Sequence, residues 1–70
     1  MRMTRHAKNE CRLYKVDLAD AEAVIARPHR ILRDGGGKPI YEAPVRGRTM
    51  WVIVALDEPD LIVTIYPKRK

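Results

Sequence analysis

The feature that most constrains this chain is a change of apolar period near residue 30. Before it, Met3, Ala7, Cys11 and Tyr14 recur at spacings of four, four and three, which lines one face of a helix. That spacing predicts a helix over 3–14, with Thr4 able to cap its start. Arg5, Lys8 and Arg12 fall on the opposite face, and His6 and Glu10 sit one turn apart on the flank. A second helix is predicted over 18–27, with Asp17 as its N-cap. Asp20 and Glu22 lie near its start, where negative charge suits the dipole. Its buried stripe is Leu18, Ala21, Val24 and Ile25, and Pro28 ends it.

After residue 30 the period is two. Strands are predicted over 30–34, 40–46, 49–56 and 61–66. Gly35, Gly36 and Gly37 form the first turn, Gly47 and its neighbours the second, and residues 57–60 (DEPD) the third. Pro44 lacks an N–H and marks a bulge or an unpaired stretch of its strand. All connections are short, which favours an antiparallel meander. The expected fold is α+β: two N-terminal helices packed on one face of a four-stranded antiparallel sheet. In the last strand Leu61, Val63 and Ile65 are expected to face the helices, leaving Ile62, Thr64 and Tyr66 on the open face. In the 49–56 strand both alternating sets are apolar, Met50, Val52, Val54 and Leu56 against Trp51, Ile53 and Ala55, so the inward set stays open. Trp51 is read as a core residue.

Seventy residues make one small domain, which buries only about 60% of its unfolded surface. Cys11 is the only cysteine, so there is no disulfide framework, and an unpaired thiol fits a reducing compartment. No apolar run approaches the ~20 residues of a membrane span, and the N-terminus shows no apolar leader core. The expectation is a soluble cytoplasmic domain without a membrane association. A net charge of +5 favours an anionic partner: nucleic acid, ribosome or an acidic protein.

The C-terminal stretch VTIYPKRK (63–70) concentrates the chemistry. Thr64 and Tyr66 share a face, Pro67 stops the strand, and Lys68, Arg69 and Lys70 follow. Arg48 begins the preceding strand. In an antiparallel hairpin that start lies near the end of the last strand, so Arg48 is expected beside Tyr66 and Lys68. Aromatic side chains interleaved with cations suit RNA, whose bases stack while its phosphates pair. The bland alternative is that Thr64 and Tyr66 are ordinary strand formers on a half-exposed surface.

His6-Ala7 in the first helix, the glycine hairpin, the strand RGRTMWVIV (46–54) and the ending VTIYPKRK resemble, together, a family of small bacterial domains of unknown function labelled DUF4258. These look like compact relatives of the RelE and BrnT type of toxin, and the resemblance spans nearly the whole chain. Where that family usually carries arginines, four and eight residues beyond the histidine, this chain has Glu10 and Tyr14. The resemblance implies a toxin of a toxin–antitoxin system that cuts RNA without a metal, together with a cognate antitoxin. In that chemistry the ribose 2′-hydroxyl attacks the adjacent phosphate and the 5′-oxygen leaves. It requires proton transfer and cations on the phosphorane.

The implied catalytic residues are His6, Arg48 and Tyr66, with Thr64, Lys68, Arg69, Arg46, Lys8 and Arg12 as phosphate contacts. A histidine suits the proton transfer because it titrates near neutrality, and arginine offers a bidentate fork. Each has a plainer alternative: His6–Glu10 as an i,i+4 pair, Arg5, Lys8 and Arg12 as a solvated stripe. His29 reads as a surface residue. Cys11 has no CxxC partner, the glycines lack the features of a phosphate loop, and Asp57, Glu58 and Asp60 read as turn chemistry, so no metal and no cofactor is expected. The alternative function is a non-catalytic RNA-, ribosome- or protein-binding module of the same fold. A homodimer through an exposed sheet edge would help so small a domain.

Overall fold

The computed structural model describes residues 1–68, so the ending at Arg69 and Lys70 lies outside the described residues. The chain forms β1 (Arg2–Met3), α1 (Arg5–Tyr14), α2 (Leu18–Ala26), β2 (Arg30–Arg33), β3 (Pro39–Val45), β4 (Arg48–Val54) and β5 (Leu61–Pro67). The two helices pack on one face of a sheet, as the change of period predicts. The sheet has five strands rather than four, in the order β1-β5-β4-β3-β2. It is mixed, because β1 runs parallel to β5 with Arg2 opposite Leu61 and Met3 opposite Ile62.

Thr4 explains why the first helix starts later than its apolar spacing suggests. Its backbone is extended, and its Oγ1 accepts the Ala7 N–H at 3.1 Å, which caps α1. The same hydroxyl donates to the Val63 carbonyl at 2.9 Å. The Thr4 N–H donates to the Ile62 carbonyl at 3.0 Å. One residue thus ends β1, begins α1 and fixes both to β5. Asp17 and Asp20 form a reciprocal capping box on α2, which satisfies two otherwise orphaned N–H groups.

The β3–β4 turn has positive φ at both Arg46 (49°) and Gly47 (84°), the signature of the tight hairpin whose twist matches its strands. In the β2–β3 hairpin, Asp34 Oδ1 accepts from the Gly36 and Lys38 N–H groups, both at 2.9 Å. Pairing between β2 and β3 extends no further along β3 than Arg30 opposite Glu42. Pro44 therefore sits on a stretch with no neighbour on that side, where a missing N–H costs nothing.

The core combines Ala7, Cys11, Ala21 and Val24 from the helices with Ala43, Met50, Val52, Val54, Ile62 and Ile65 from the sheet. Met50, Val52 and Val54 are therefore the inward set of β4. The facing expected for β5 needs correction. Ile62 (0% exposed) and Ile65 (1%) are the core residues of that strand, while Leu61 and Val63 are half-buried. The pairing register shifts at Ile53/Val54, where Ile53 faces Thr64 but Val54 faces Ile62. An irregularity of this kind inserts one residue and reverses the alternation on its far side.

Candidate nucleic-acid interface

The face of the sheet away from the helices carries two cross-strand rows. In the first, Arg30 lies opposite Glu42, Glu42 opposite Trp51, and Trp51 opposite Tyr66. In the second, Leu32, Ile40, Ile53 and Thr64 line up in the same way. Ile40 and Ile53 are buried yet stand apart from the core under the helices. They form an apolar floor beside the first row. Trp51 is accordingly not part of the main core. It is half-buried on this face.

Glu42 is the one buried charged residue among the described residues, 7% exposed, and a buried charge requires partners. The Trp51 Nε1–H donates to its Oε1 at 2.8 Å. Lys68 Nζ lies 3.7 Å from Oε1, and Arg30 Nε lies 3.7 Å from Oε2. The Trp51 hydrogen bond, aided by the charges of Lys68 and Arg30, holds the Glu42 carboxyl below its ordinary pKa against the opposing effect of burial. Trp51 also meets Tyr66 edge to face, with ring centroids 5.8 Å apart. The carboxylate thus anchors an aromatic pair and holds a cation on either side of it.

A second cluster lies at the β5 edge. Glu10 Oε1 accepts the Ile65 N–H at 3.0 Å and a short hydrogen bond from Thr64 Oγ1. His6 Nε2 is 3.1 Å from the same oxygen. This is the i,i+4 pair that the helix spacing allows, while the bonds of Glu10 to Thr64 and Ile65 tie α1 to β5. Through Glu10, His6 therefore stands beside Thr64 of β5.

Arg48 does not join Tyr66 and Lys68 on the open face, where the hairpin argument expects it. It shares the parity of Met50 and Val52 and so projects on the helix side, whereas Tyr66, opposite Trp51, projects on the other. Its Nη2 donates to the Tyr14 carbonyl at 2.5 Å, and its guanidinium lies 5.7 Å from the Tyr14 ring centroid. Closeness along a hairpin fixed the distance between strands but not the face. Arg46 is likewise turned to the helices, donating to Asp20 Oδ2 at 3.0 Å and to the Lys15 carbonyl at 2.5 Å. Lys8 and Arg12 are exposed on α1, with Arg12 donating to Asn9 Oδ1 at 2.8 Å. Lys68 does reach the open face, through Glu42. Arg69 lies outside the described residues.

Glu42 and Arg30 went unnoticed in the sequence as site residues. The signal was present: a glutamate inside the run IYEAPV needs a reason to be in a strand. Burial pushes the Cys11 thiol pKa up, and its Sγ lies 3.6 Å from Met3 Sδ, the environment of an inert packing cysteine. No helix among the described residues is long and apolar enough to cross a membrane. No protein-family model, no curated protein and no solved structure matches this chain.

Proposed function

We propose that this chain is a non-catalytic RNA-binding module that receives single-stranded RNA on the open face of its sheet. The observation that carries the reading is the row Arg30–Glu42–Trp51–Tyr66, with Lys68 beside it. Trp51 and Tyr66 offer surfaces on which bases stack, and each such contact contributes about 1–3 kcal/mol. Arg30 and Lys68 flank them at phosphate reach, while Glu42 fixes the indole. The net charge of +5 draws a polyanion in. We retain the RelE/BrnT-like resemblance and extend the proposal to a ribosomal RNA as the target.

A second reading keeps the metal-independent ribonuclease of a toxin–antitoxin pair, with its cognate antitoxin as partner. The cluster of His6, Glu10 and Thr64 favours it, since a carboxylate that orients a histidine suits proton transfer. In that step the ribose 2′-oxygen bonds to phosphorus as its proton passes to His6. The bond from phosphorus to the 5′-oxygen breaks, and that oxygen takes up a proton from solvent. Arg48 is occupied by Tyr14 on the other side of the sheet. Charge on the phosphorane would thus rest on Lys68 and any cation beyond it, which places catalysis second to binding.

Anisotropy titration of a labelled single-stranded RNA, at about 50 mM and about 200 mM salt, tests the binding reading. Affinity that falls steeply with salt and is weakened by Tyr66→Ala and Lys68→Ala supports it. No binding at the lower salt rules out RNA. Cleavage of the RNA, abolished by His6→Ala, would move the answer to the second reading.

A further inference from the structure

The two edges of the sheet are finished differently. The β5 edge is covered over its first half and blunted beyond it. β1 covers Leu61 and Ile62, and Thr4 takes the Ile62 and Val63 carbonyls. Glu10 takes the Ile65 N–H, and two residues further on Pro67 has no N–H to offer. The β2 edge has no such cover among the described residues. The Asp34 N–H donates inward to the Lys38 carbonyl at 3.0 Å. By strand alternation Ile31 and Arg33 therefore turn their backbone N–H and C=O groups outward. The Ile31 side chain is 58% exposed.

The charge along this edge is one-sided. Arg27 precedes it, Arg30 and Arg33 lie on it, and the Arg33 Nη1–H donates only to the Gly37 carbonyl at 3.1 Å. Among the described residues no carboxylate pairs with Arg27 or Arg33, and the one that pairs with Arg30 belongs to Glu42. A second copy is a poor occupant. Its edge would bring the same cations, Arg27, Arg30 and Arg33, rather than a net negative charge to meet them. A nucleic acid offers no ladder of alternating donors and acceptors, and nothing for Ile31.

We propose that the β2 edge is a strand-addition site for an extended, acidic segment of a partner protein. Backbone hydrogen bonds to Ile31 and Arg33 supply affinity, and apolar contact with Ile31 sets register. Acidic side chains on Arg27, Arg30 and Arg33 supply selectivity. This surface shares only Arg30 with the RNA reading; Trp51 and Tyr66 take no part, so variants at Ile31 and Arg33 test it separately.

The test uses a short end-capped peptide with the pattern Glu-Val-Val-Glu, which sets valines against Ile31 and Leu32 and glutamates against Arg30 and Arg33, followed by the amide NMR spectrum of the isotope-labelled chain. Binding should shift the Ile31 and Arg33 amides and slow their exchange with solvent. Ile31→Pro removes one outward N–H while leaving the inward ladder intact, and should weaken binding about tenfold. Arg33→Glu should weaken it about fivefold or more. Circular dichroism establishes that both variants remain folded. Replacing glutamate by lysine in the peptide should abolish binding. Three results would overturn the proposal: no shift at β2, shifts confined to the Trp51 face, or equal binding of the lysine peptide. A dimer that forms without peptide and is lost on Ile31→Pro would overturn it in favour of a second copy.

Discussion

Trp51 and Glu42 are locked together across β3 and β4, the indole N–H donating to a carboxylate that is almost wholly removed from solvent. That hydrogen bond joins the stability of the sheet to the shape of its open face. Glu42 has its pKa lowered by folding, first through Trp51 and then through Lys68 and Arg30. The unfolded chain therefore binds more protons than the folded one as pH passes between the lowered value and the ordinary glutamate value of about 4.3. Stability from this group is fully present above that ordinary value and is lost as pH falls through the lowered one.

Thermal melts across the acidic range should show this loss in the native chain and a flatter profile in Glu42→Gln. The substitution should destabilise the chain most near neutral pH and least at the acid end. Superimposable profiles would remove Glu42 as the group responsible.

Thr4 caps α1 and ties it to β5 with one hydroxyl. Thr4→Ala should cost about 1–2 kcal/mol in urea denaturation. Thr4→Ser retains the oxygen and should recover most of the loss. If serine fails to recover it, the methyl rather than the hydroxyl is responsible.

The irregularity in β5 gives a test against plain alternation. Ile62→Ala and Ile65→Ala remove fully buried side chains, and each should cost about 2–5 kcal/mol. For a chain this short that is a large share of a total stability of roughly 0.05–0.15 kcal/mol per residue. Val63→Ala should cost clearly less. The reverse order, with Val63 more sensitive than Ile62, would restore the strict alternation.

Arg48 and Tyr66 lie on opposite faces of the sheet, which separates their effects. Tyr66→Ala should weaken RNA binding by about 1–3 kcal/mol at any salt concentration. Lys68→Ala should weaken it mainly at low salt and reduce the salt slope by about 0.7. Arg48→Ala should leave RNA affinity nearly unchanged while lowering stability, since it removes the contact to the Tyr14 carbonyl. A loss of affinity from Arg48→Ala equal to that from Tyr66→Ala, in a folded variant, would return Arg48 to the site.

The helices were legible because their burial follows spacing alone: Ala7 and Cys11 on one, Ala21 and Val24 on the other. Strand β1 was not legible, because two residues show no period and its pairing depends on a partner far along the chain. The face of Arg48 was hidden for a related reason. Every residue from Met50 to Val54 is apolar, so parity could not be assigned until α1 was seen to supply the Tyr14 carbonyl. The open-face position of Thr64 and Tyr66 was legible because both lie on the same side of the irregularity and keep plain alternation. Glu42 was visible in the sequence, but its meaning came only from the indole opposite it.

The most direct measurement uses the chain's single tryptophan. Trp51 is itself part of the proposed stacking surface, so its fluorescence reports on the site without a label. Titration with an unlabelled single-stranded RNA should quench and saturate the emission, with the quenching weakened by Tyr66→Ala. A duplex RNA of the same charge, whose bases are already stacked, should quench little. If single-stranded RNA leaves the emission unchanged, or if duplex and single strand quench alike, bases do not stack on Trp51. The open face would then not be the RNA-binding surface.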